Sequence, residues 1–319
     1  MTKPFKLTVL MLALLQAPAW AAGEAIDQSR NVSASEKIEI ENMRGEVRIV
    51  AVKANTFSVK GTLDEKAEGY ELTSANGVTR FAVKMPRSNF GGWNSDKQEG
   101  SDLTIEVPVG SELKFSGVNA NVSASGIEGG ARLTTVNGKV DAEKLKGDIA
   151  LETVNGEISS RDNSGRIHIT TVNGQISDKG SAGTLELESV NGEISSQSSA
   201  KEVELEVVNG EGQLDLTGTE RLEFSSVNGE IRAAIKNSKK PRISASSVSG
   251  ASRLTLDADV SARFELEASA GGDIDNGLTS DKATRAKYGP RRHLEFRTGS
   301  GEGNVEISTV SGEIELKKH

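Results

Sequence analysis

The stretch VNGEISSRDNSGRIHITTVNGQISDKGSAGTLELESVNGEI (residues 154–194) repeats one pattern, with Val154, Val172 and Val190 each opening a Val-Asn-Gly triplet at a constant interval of 18. Working outward, Val118, Val136 and Val208 keep that spacing, and Val227 and Val248 follow at intervals of 19 and 21. Asn follows each of these valines through Val227, and Ser249 replaces it after Val248. Gly holds the third place at Gly138, Gly156, Gly174, Gly192, Gly210, Gly229 and Gly250, with Ala120 there in the first copy. Self-similarity at a fixed period is the signature of a repeat architecture, and it outranks any reading of single segments.

With Val as position 1, apolar residues recur at position 5 (Val140, Ile158, Ile176, Ile194) and at positions 14 and 16 (Ile149 and Leu151, Ile167 and Ile169, Leu185 and Leu187, Val203 and Leu205). A two-residue step is the strand period. Positions 15 and 17 carry Glu152, His168, Thr170, Glu186, Glu188, Glu204 and Glu206, so that strand has one wet face. Asn-Gly at positions 2 and 3 favours positive φ and a tight corner, and a second Gly at position 12 (Gly129, Gly147, Gly165, Gly183) marks another. The expected fold is therefore all-β: a single-stranded β-solenoid of about 18-residue coils with two short strands per coil. A hairpin array is the competing architecture. Recurrence of the same positions in every copy favours the solenoid, because in-register stacking requires it. A hexapeptide left-handed helix is excluded by polar residues at positions 7 and 13 (Ser160, Asp178, Ser196; Asp148, Arg166, Thr184), and no copy holds a GGxGxD calcium nonapeptide.

Gly, at 34 of 319 residues, exceeds the usual share and Pro, at 6, falls below it, so turns are made by Gly and its partners. With no Cys there is no disulfide framework, thiolate metal site or catalytic thiol. The N-terminus places Lys3 and Lys6 before an apolar run from Leu7 to Leu15, then Ala19-Trp20-Ala21 in small-x-small order. This reads as a secretory signal peptide over 1–21, the run being too short for a bilayer core of roughly 30 Å. The expected location is outside the cytoplasm, in the periplasm or at the cell surface, with no transmembrane segment in the mature chain. Without the two signal lysines, 36 basic residues face 46 acidic ones, a net charge of −10 that excludes nucleic acid as a natural partner.

Residues 22–115 form an N-terminal strand-rich region of irregular first coils, alternating at Ile38 and Ile40, Val47 and Ile49, Phe57 and Val59, Phe81 and Val83, and Leu103, Ile105 and Val107. Within it, IEIENMRGEVRI (38–49) reads as a degenerate first coil. Residues 116–319 form the array and its C-terminal cap, where the register loosens over 273–296 before VSGEIEL (310–316) restores the motif.

The run LTIEVPVGSELKF (103–115), the serial VNGEI units, Tyr288-Gly289 and the terminal STVSGEIEL together resemble a bacterial β-strand-repeat family of unknown function labelled "putative adhesin", similar to head-domain adhesins. The resemblance covers nearly the whole mature chain. It implies an elongated β-solenoid in envelope or surface proteins, and it implies no catalytic residues.

The asparagine set (Asn137, Asn155, Asn173, Asn191, Asn209 and Asn228, with Asn119 before them) is read as a buried structural amide ladder rather than a binding stripe, since stacked amides satisfy one another. Glu157, Glu193, Glu211 and Glu230 at position 4, with Gln175 among them, form a solvated row, too straight to supply the converging oxygens a Ca²⁺ cage needs. The second acidic stripe (Glu186, Glu188, Glu204, Glu206, Glu223) admits a glycosidase reading, but the array lacks the aromatic platform sugars use, so no catalytic residue is assigned. His168, His293 and His319 are isolated in sequence, and neither metal ligands nor a cofactor are expected. Two features are candidate partner contacts. The basic cluster Lys282, Arg285, Lys287, Arg291, Arg292 and Arg297 either binds an anionic polymer or lipid head group or caps the stack against acidic neighbours. Phe90 and Trp93, in a Gly- and Ser-rich stretch, either form a contact tip or fold back over the core. The leading expectation is a non-enzymatic cell-envelope scaffold or adhesin-like module whose partner is an envelope or extracellular protein or glycan. A β-solenoid polysaccharide hydrolase or lyase and a calcium-binding structural protein are the alternatives.

Overall fold

A computed structural model of the chain describes residues 23–86 and 100–319, and among them there are 22 strands, joined into one long sheet, and no helix. The signal segment and the pair Phe90 and Trp93 lie outside the described residues. Six strands precede the array: β1 (Ala25–Asn31), β2 (Lys37–Val52), β3 (Thr56–Thr62), β4 (Tyr70–Ala75), β5 (Val78–Val83) and β6 (Ser101–Pro108). The repeat region supplies β7 (Glu112–Ser125), β8 (Ala131–Asn137), β9 (Val140–Glu143), β10 (Lys146–Asn155), β11 (Ile158–Arg161), β12 (Ser164–Lys179), β13 (Ala182–Ser198), β14 (Glu202–Thr217), β15 (Arg221–Lys236) and β16 (Arg242–Leu256). The C-terminal region adds β17 (Ala262–Ala268), β18 (Asp273–Asn276), β19 (Thr284–Arg285), β20 (Arg292–Arg297), β21 (Gly303–Thr309) and β22 (Glu313–Lys318).

Successive units pair in parallel, each residue with its counterpart one repeat away. Ile149 pairs with Ile167, Ile167 with Leu185, Leu185 with Val203, Val203 with Leu222, and Leu222 with Ile243. These offsets reproduce the 18, 19 and 21 of the Val-Asn-Gly spacing, so the sequence period is the ladder register. Ile158, Ile167, Ile169, Leu185, Leu187, Ile194, Val203 and Leu205 are all buried, whereas Glu204 and Glu206 are exposed and Glu186 and Glu188 half-buried. The alternation expected from the two-residue step is therefore the one the fold adopts.

Two local readings need correction. The two strand segments of a unit stay separate in β8 and β9 and in β10 and β11, but they merge into one bent strand of 14 to 17 residues in β7 and in β12 to β16. They merge because ladder pairing continues through the corner, where Gly174 pairs with Gly192 and Gly192 with Gly210. The corner glycine is also required for a different reason than positive φ. Gly192 lies outside the left-handed region, yet a Cβ on it would stand 1.8 Å from the carbonyl oxygen of Gly174. Close stacking of rung on rung, not the turn itself, excludes a side chain there. Positive φ occurs at this corner only in the later copies, at Gly210 and Gly250, and at the second corner at Gly147, Gly165 and Gly183.

The interior is apolar except near the corners. Thr135 and Thr153 donate their hydroxyls to the carbonyls of Ala120 and Gly138, bracing one corner from inside. Next to the other, Asp178 is buried and accepts hydrogen bonds from the hydroxyls of Ser160, Ser181 and Ser196. Burial pushes its carboxyl above the ordinary aspartate value, although the three hydroxyls pull it back.

At both ends, order in space departs from order in sequence. β2 lies between β7 and the pair β5 and β6, all in parallel, so the chain lays down an inner rung first and then passes outside it. At the other end, Ile243 pairs with Val305 and Val305 with Phe264, so β21 and β22 sit between β16 and the strands β17 and β18. Within the region expected to cap the stack, the final VSGEIEL is thus an inner rung, and residues 262–297 lie beyond it. Antiparallel strands cover the outermost rungs: β3 and then β1 on β6, β4 on β5, and β20 and then β19 on β17. They occupy backbone edges that a parallel stack would leave open. Aromatic rings gather at the same places. Phe81 has its ring centroid 6.5 Å from that of Phe57 and 5.9 Å from that of Tyr70, while Phe264 and Phe296 stack at 4.5 Å.

Candidate functional site

The asparagines of the motif form a continuous chain of side-chain hydrogen bonds. Asn137 donates Nδ2 to Oδ1 of Asn119 at 2.8 Å, Asn155 to Asn137 at 2.8 Å and Asn173 to Asn155 at 3.0 Å. Asn191, Asn209 and Asn228 continue it at 3.0, 3.1 and 3.2 Å, and the Ser249 hydroxyl closes it onto Asn228. The ladder is exposed, not buried as expected from the sequence. At the corner the inward position falls to the residue before the valine, Thr or Ser at Thr135, Thr153, Thr171, Ser189, Ser226 and Ser247 and Val at Val207, which turns both Val and Asn outward.

That turn exposes an element to which the sequence alone assigns no role. Val136, Val154, Val190, Val208, Val227, Val248 and Val310 are 37% to 47% exposed, with Val118 and Val172 half-buried in the same row. An apolar ladder therefore runs beside the amide ladder along the stack. Near its C-terminal end, Val208, Val227, Val248 and Val310 line a shallow groove of about 490 Å³, together with serines such as Ser225 and Ser246. The recurrence of Val at position 1, with no inward partner position two residues away on the far side of Asn-Gly, was the available signal.

The row at position 4 is not a bare line of carboxylates. Lys139 occupies that position one unit before Glu157 and lies 3.6 Å from it, and Arg232 reaches Glu211 at 3.4 Å and Glu230 at 2.6 Å. Arg253 ties Glu230 to Glu313 and Glu315. These pairs disperse the negative charge a Ca²⁺ cage would concentrate.

The second stripe holds more charge than it pairs. Partial desolvation of the exposed side chain against its neighbours, followed by repulsion from Glu186, Glu223 and other glutamates, holds the Glu204 carboxyl above its ordinary value. Glu188 is raised likewise, first by burial and then by Glu186 and Glu206, against the lowering effect of His168. His168 is not isolated: its Nδ1 lies 3.1 Å from Oε2 of Glu186, and one ligand atom from each of His168, Glu186 and Glu188 falls within 4.8 Å of the others. His168 and Glu186 occupy the same position of successive units, which is how the sequence could have joined them. A groove of about 820 Å³ runs from this point past Arg166, Asp148, Arg132 and Lys114 towards Lys37.

The basic cluster divides between its two readings. Arg291 bonds Glu267 at 2.6 Å and Arg292 pairs with Asp273, so these two do fasten the outer strands to acidic neighbours. Lys282, Arg285 and Lys287 are exposed and form no ion pair among the described residues; Lys287 lies 5.3 Å above the ring of Tyr288, itself 83% exposed.

The Toastrack DUF4097 profile matches residues 35–317, from the first inner rung to the last. The chain belongs to the Toastrack family. No curated protein matches it. Solved structures similar to this Toastrack chain include a "putative adhesin" from Parabacteroides distasonis ATCC 8503, at 11% identity over 94% of this chain and 98% of that one, with a TM-score of 0.46. A "putative lipid binding protein" from the same organism has 12% identity over 93% and 97% of the two chains and a TM-score of 0.41. A "putative adhesin" from Bacteroides fragilis NCTC 9343 has 13% identity over 93% and 98%, with a TM-score of 0.37. Among the described residues, no helix of this Toastrack chain is long and apolar enough to cross a membrane.

Proposed function

We propose that the chain is a non-enzymatic scaffold or adhesin-like interaction module of the cell envelope, exported to the periplasm or cell surface and built as a β-solenoid in which each 18-residue unit is one coil. The 18-residue parallel register supports the coil reading, with residues 22–115 as irregular first coils and 116–319 as the array and its cap. The observation that carries the functional reading is the paired ladder of exposed valines and asparagines. From Asn119 to Asn228 it presents the same apolar and amide groups on successive rungs, at strand spacing of about 4.8 Å, on a surface pre-ordered by the sheet beneath it. Such a surface suits an extended partner with its own repeat, an envelope protein or glycan, and binding costs little ordering of the scaffold.

The test uses the chain from residue 22, immobilised and exposed to envelope extract, beside a variant with Val190, Val208, Val227 and Val248 changed to Ser. These side chains point outward, so both proteins should show the same circular dichroism and denaturation midpoint. The expected result is a specific component retained by the unaltered chain and lost from the variant. Equal retention by both, or release of soluble sugar from envelope polysaccharide by the purified chain, refutes the reading.

A further inference from the structure

One cluster on the opposite stripe combines a nitrogen donor with two oxygen donors across adjacent rungs. His168 on β12 pairs in register with Glu186 on β13, and Glu188 follows two residues later opposite Thr170, so all three side chains leave the same outward face. One donor atom from each lies within 4.8 Å of the other two. Donors around a tetrahedral Zn²⁺, with bonds near 2.0–2.1 Å, stand about 3.4 Å apart, so small rotations of two glutamate side chains close the set.

The ring is oriented for this. His168 Nε2 lies 2.9 Å from the Thr170 hydroxyl, and an N–H donated there leaves a lone pair on Nδ1. Nδ1 is shielded from solvent and has no hydrogen-bond partner, although Glu186 Oε2 is 3.1 Å away. A lone pair facing a carboxylate oxygen at that distance is repulsive unless a positive charge lies between them. A divalent ion held by both atoms would supply that charge. The neighbouring rung β14 places Glu204 and Glu206 beside the pair, adding negative charge without competing for Nδ1.

We propose that His168 Nδ1 and one carboxylate oxygen each from Glu186 and Glu188 bind a single divalent transition-metal ion of the Zn²⁺ class, with water completing its shell. Thr170 is a positioning residue that fixes the ring. One imidazole and two carboxylates fall short of the six to eight oxygens Ca²⁺ takes, and imidazole is a poor ligand for Mg²⁺, so neither should compete. The site stands apart from the valine and asparagine ladder and does not depend on that reading.

Zn²⁺ is the probe: titration of the untagged, metal-stripped chain from residue 22 in competition with a chromophoric chelator. The expected result is one equivalent bound, weakened at least tenfold by His168→Ala and by Glu188→Gln, weakened less by Thr170→Val, and unaffected by millimolar Ca²⁺ or Mg²⁺. Glu188→Gln is nearly isosteric and decides the matter alone should His168→Ala not fold. Absence of uptake, uptake unchanged by either substitution, or displacement by Ca²⁺ overturns the proposal and leaves His168 and Glu186 as a surface ion pair.

Discussion

Replacing Gly192 by Ala should cost about 3 kcal/mol, more than the same exchange costs at an open left-handed turn. The new Cβ would stand 1.8 Å from the Gly174 carbonyl oxygen, where real Cβ contacts essentially never fall under 3.0 Å. The corner must therefore open until that 1.8 Å separation reaches at least 3.0 Å. Ladder hydrogen bonds near 2.9 Å do not survive such a stretch. The Asn191 to Asn173 amide bond, at 3.0 Å, and the backbone bonds flanking the glycine pair are the ones exposed to it. About three bonds at roughly 1 kcal/mol each give the figure. Gly77 is the control, because its φ of +77° is left-handed but nothing lies within 4 Å of its Cβ position. Gly77→Ala should cost only the conformational strain, about 1–2 kcal/mol. Urea denaturation followed by far-UV circular dichroism measures both, and hydrogen exchange over residues 172–195 should show the loss concentrated in rungs β12 to β14. Equal costs at the two sites, or a loss of exchange protection spread evenly along the chain, would refute stacking distance as the constraint on the motif glycine.

Leu205→Ala should destabilise the chain by about 2–5 kcal/mol, since Leu205 is fully buried, while Glu206→Ala stays within about 0.5 kcal/mol, as denaturation midpoints will show. Because burial raises the Asp178 carboxyl in the folded chain, its contribution to stability is fully present below the ordinary aspartate value of 3.8 and is lost as pH rises through the higher folded value. Asp178→Ser, which matches Ser160 and Ser196 at the same position, should remove that slope, so the stability of the variant relative to the unaltered chain grows with pH from about 4 upward. NaCl and CaCl₂ at matched ionic strength should raise the melting temperature alike, because the glutamate rows are straight and partly paired with Lys139, Arg232 and Arg253. A saturable shift specific to Ca²⁺ and lost in Glu157→Gln with Glu193→Gln would contradict this.

The period, the inward face and the positions of the corners were legible in the sequence for one reason. In a parallel stack each residue's neighbour is its own counterpart one unit away, so Ile167 meets Leu185 and Asn173 meets Asn191, and a one-dimensional repeat states the ladder directly. The alternation of Leu185, Glu186 and Leu187 adds the face, because it depends only on the pleat. What the repeat could not state is anything set between unlike segments. The Asn-Gly corner reads as a demand for positive φ, because single-chain turn chemistry gives that answer; only the carbonyl of the rung below shows that Gly192 is needed for close approach. Whether Val and Asn face in or out depends on how the bend turns the chain, which put Val190 in solvent and the amide ladder beside it. His168 gained its partners only when the stacking register set it against Glu186 and Glu188. The order of the end rungs was least accessible, since Ile243 meets Val305 from across the whole C-terminal region, and a motif fit to stack on any rung does not say which one it will choose. The antiparallel strands and aromatic rings that close the ends are contacts of the assembled stack, and they too leave no periodic trace in the chain.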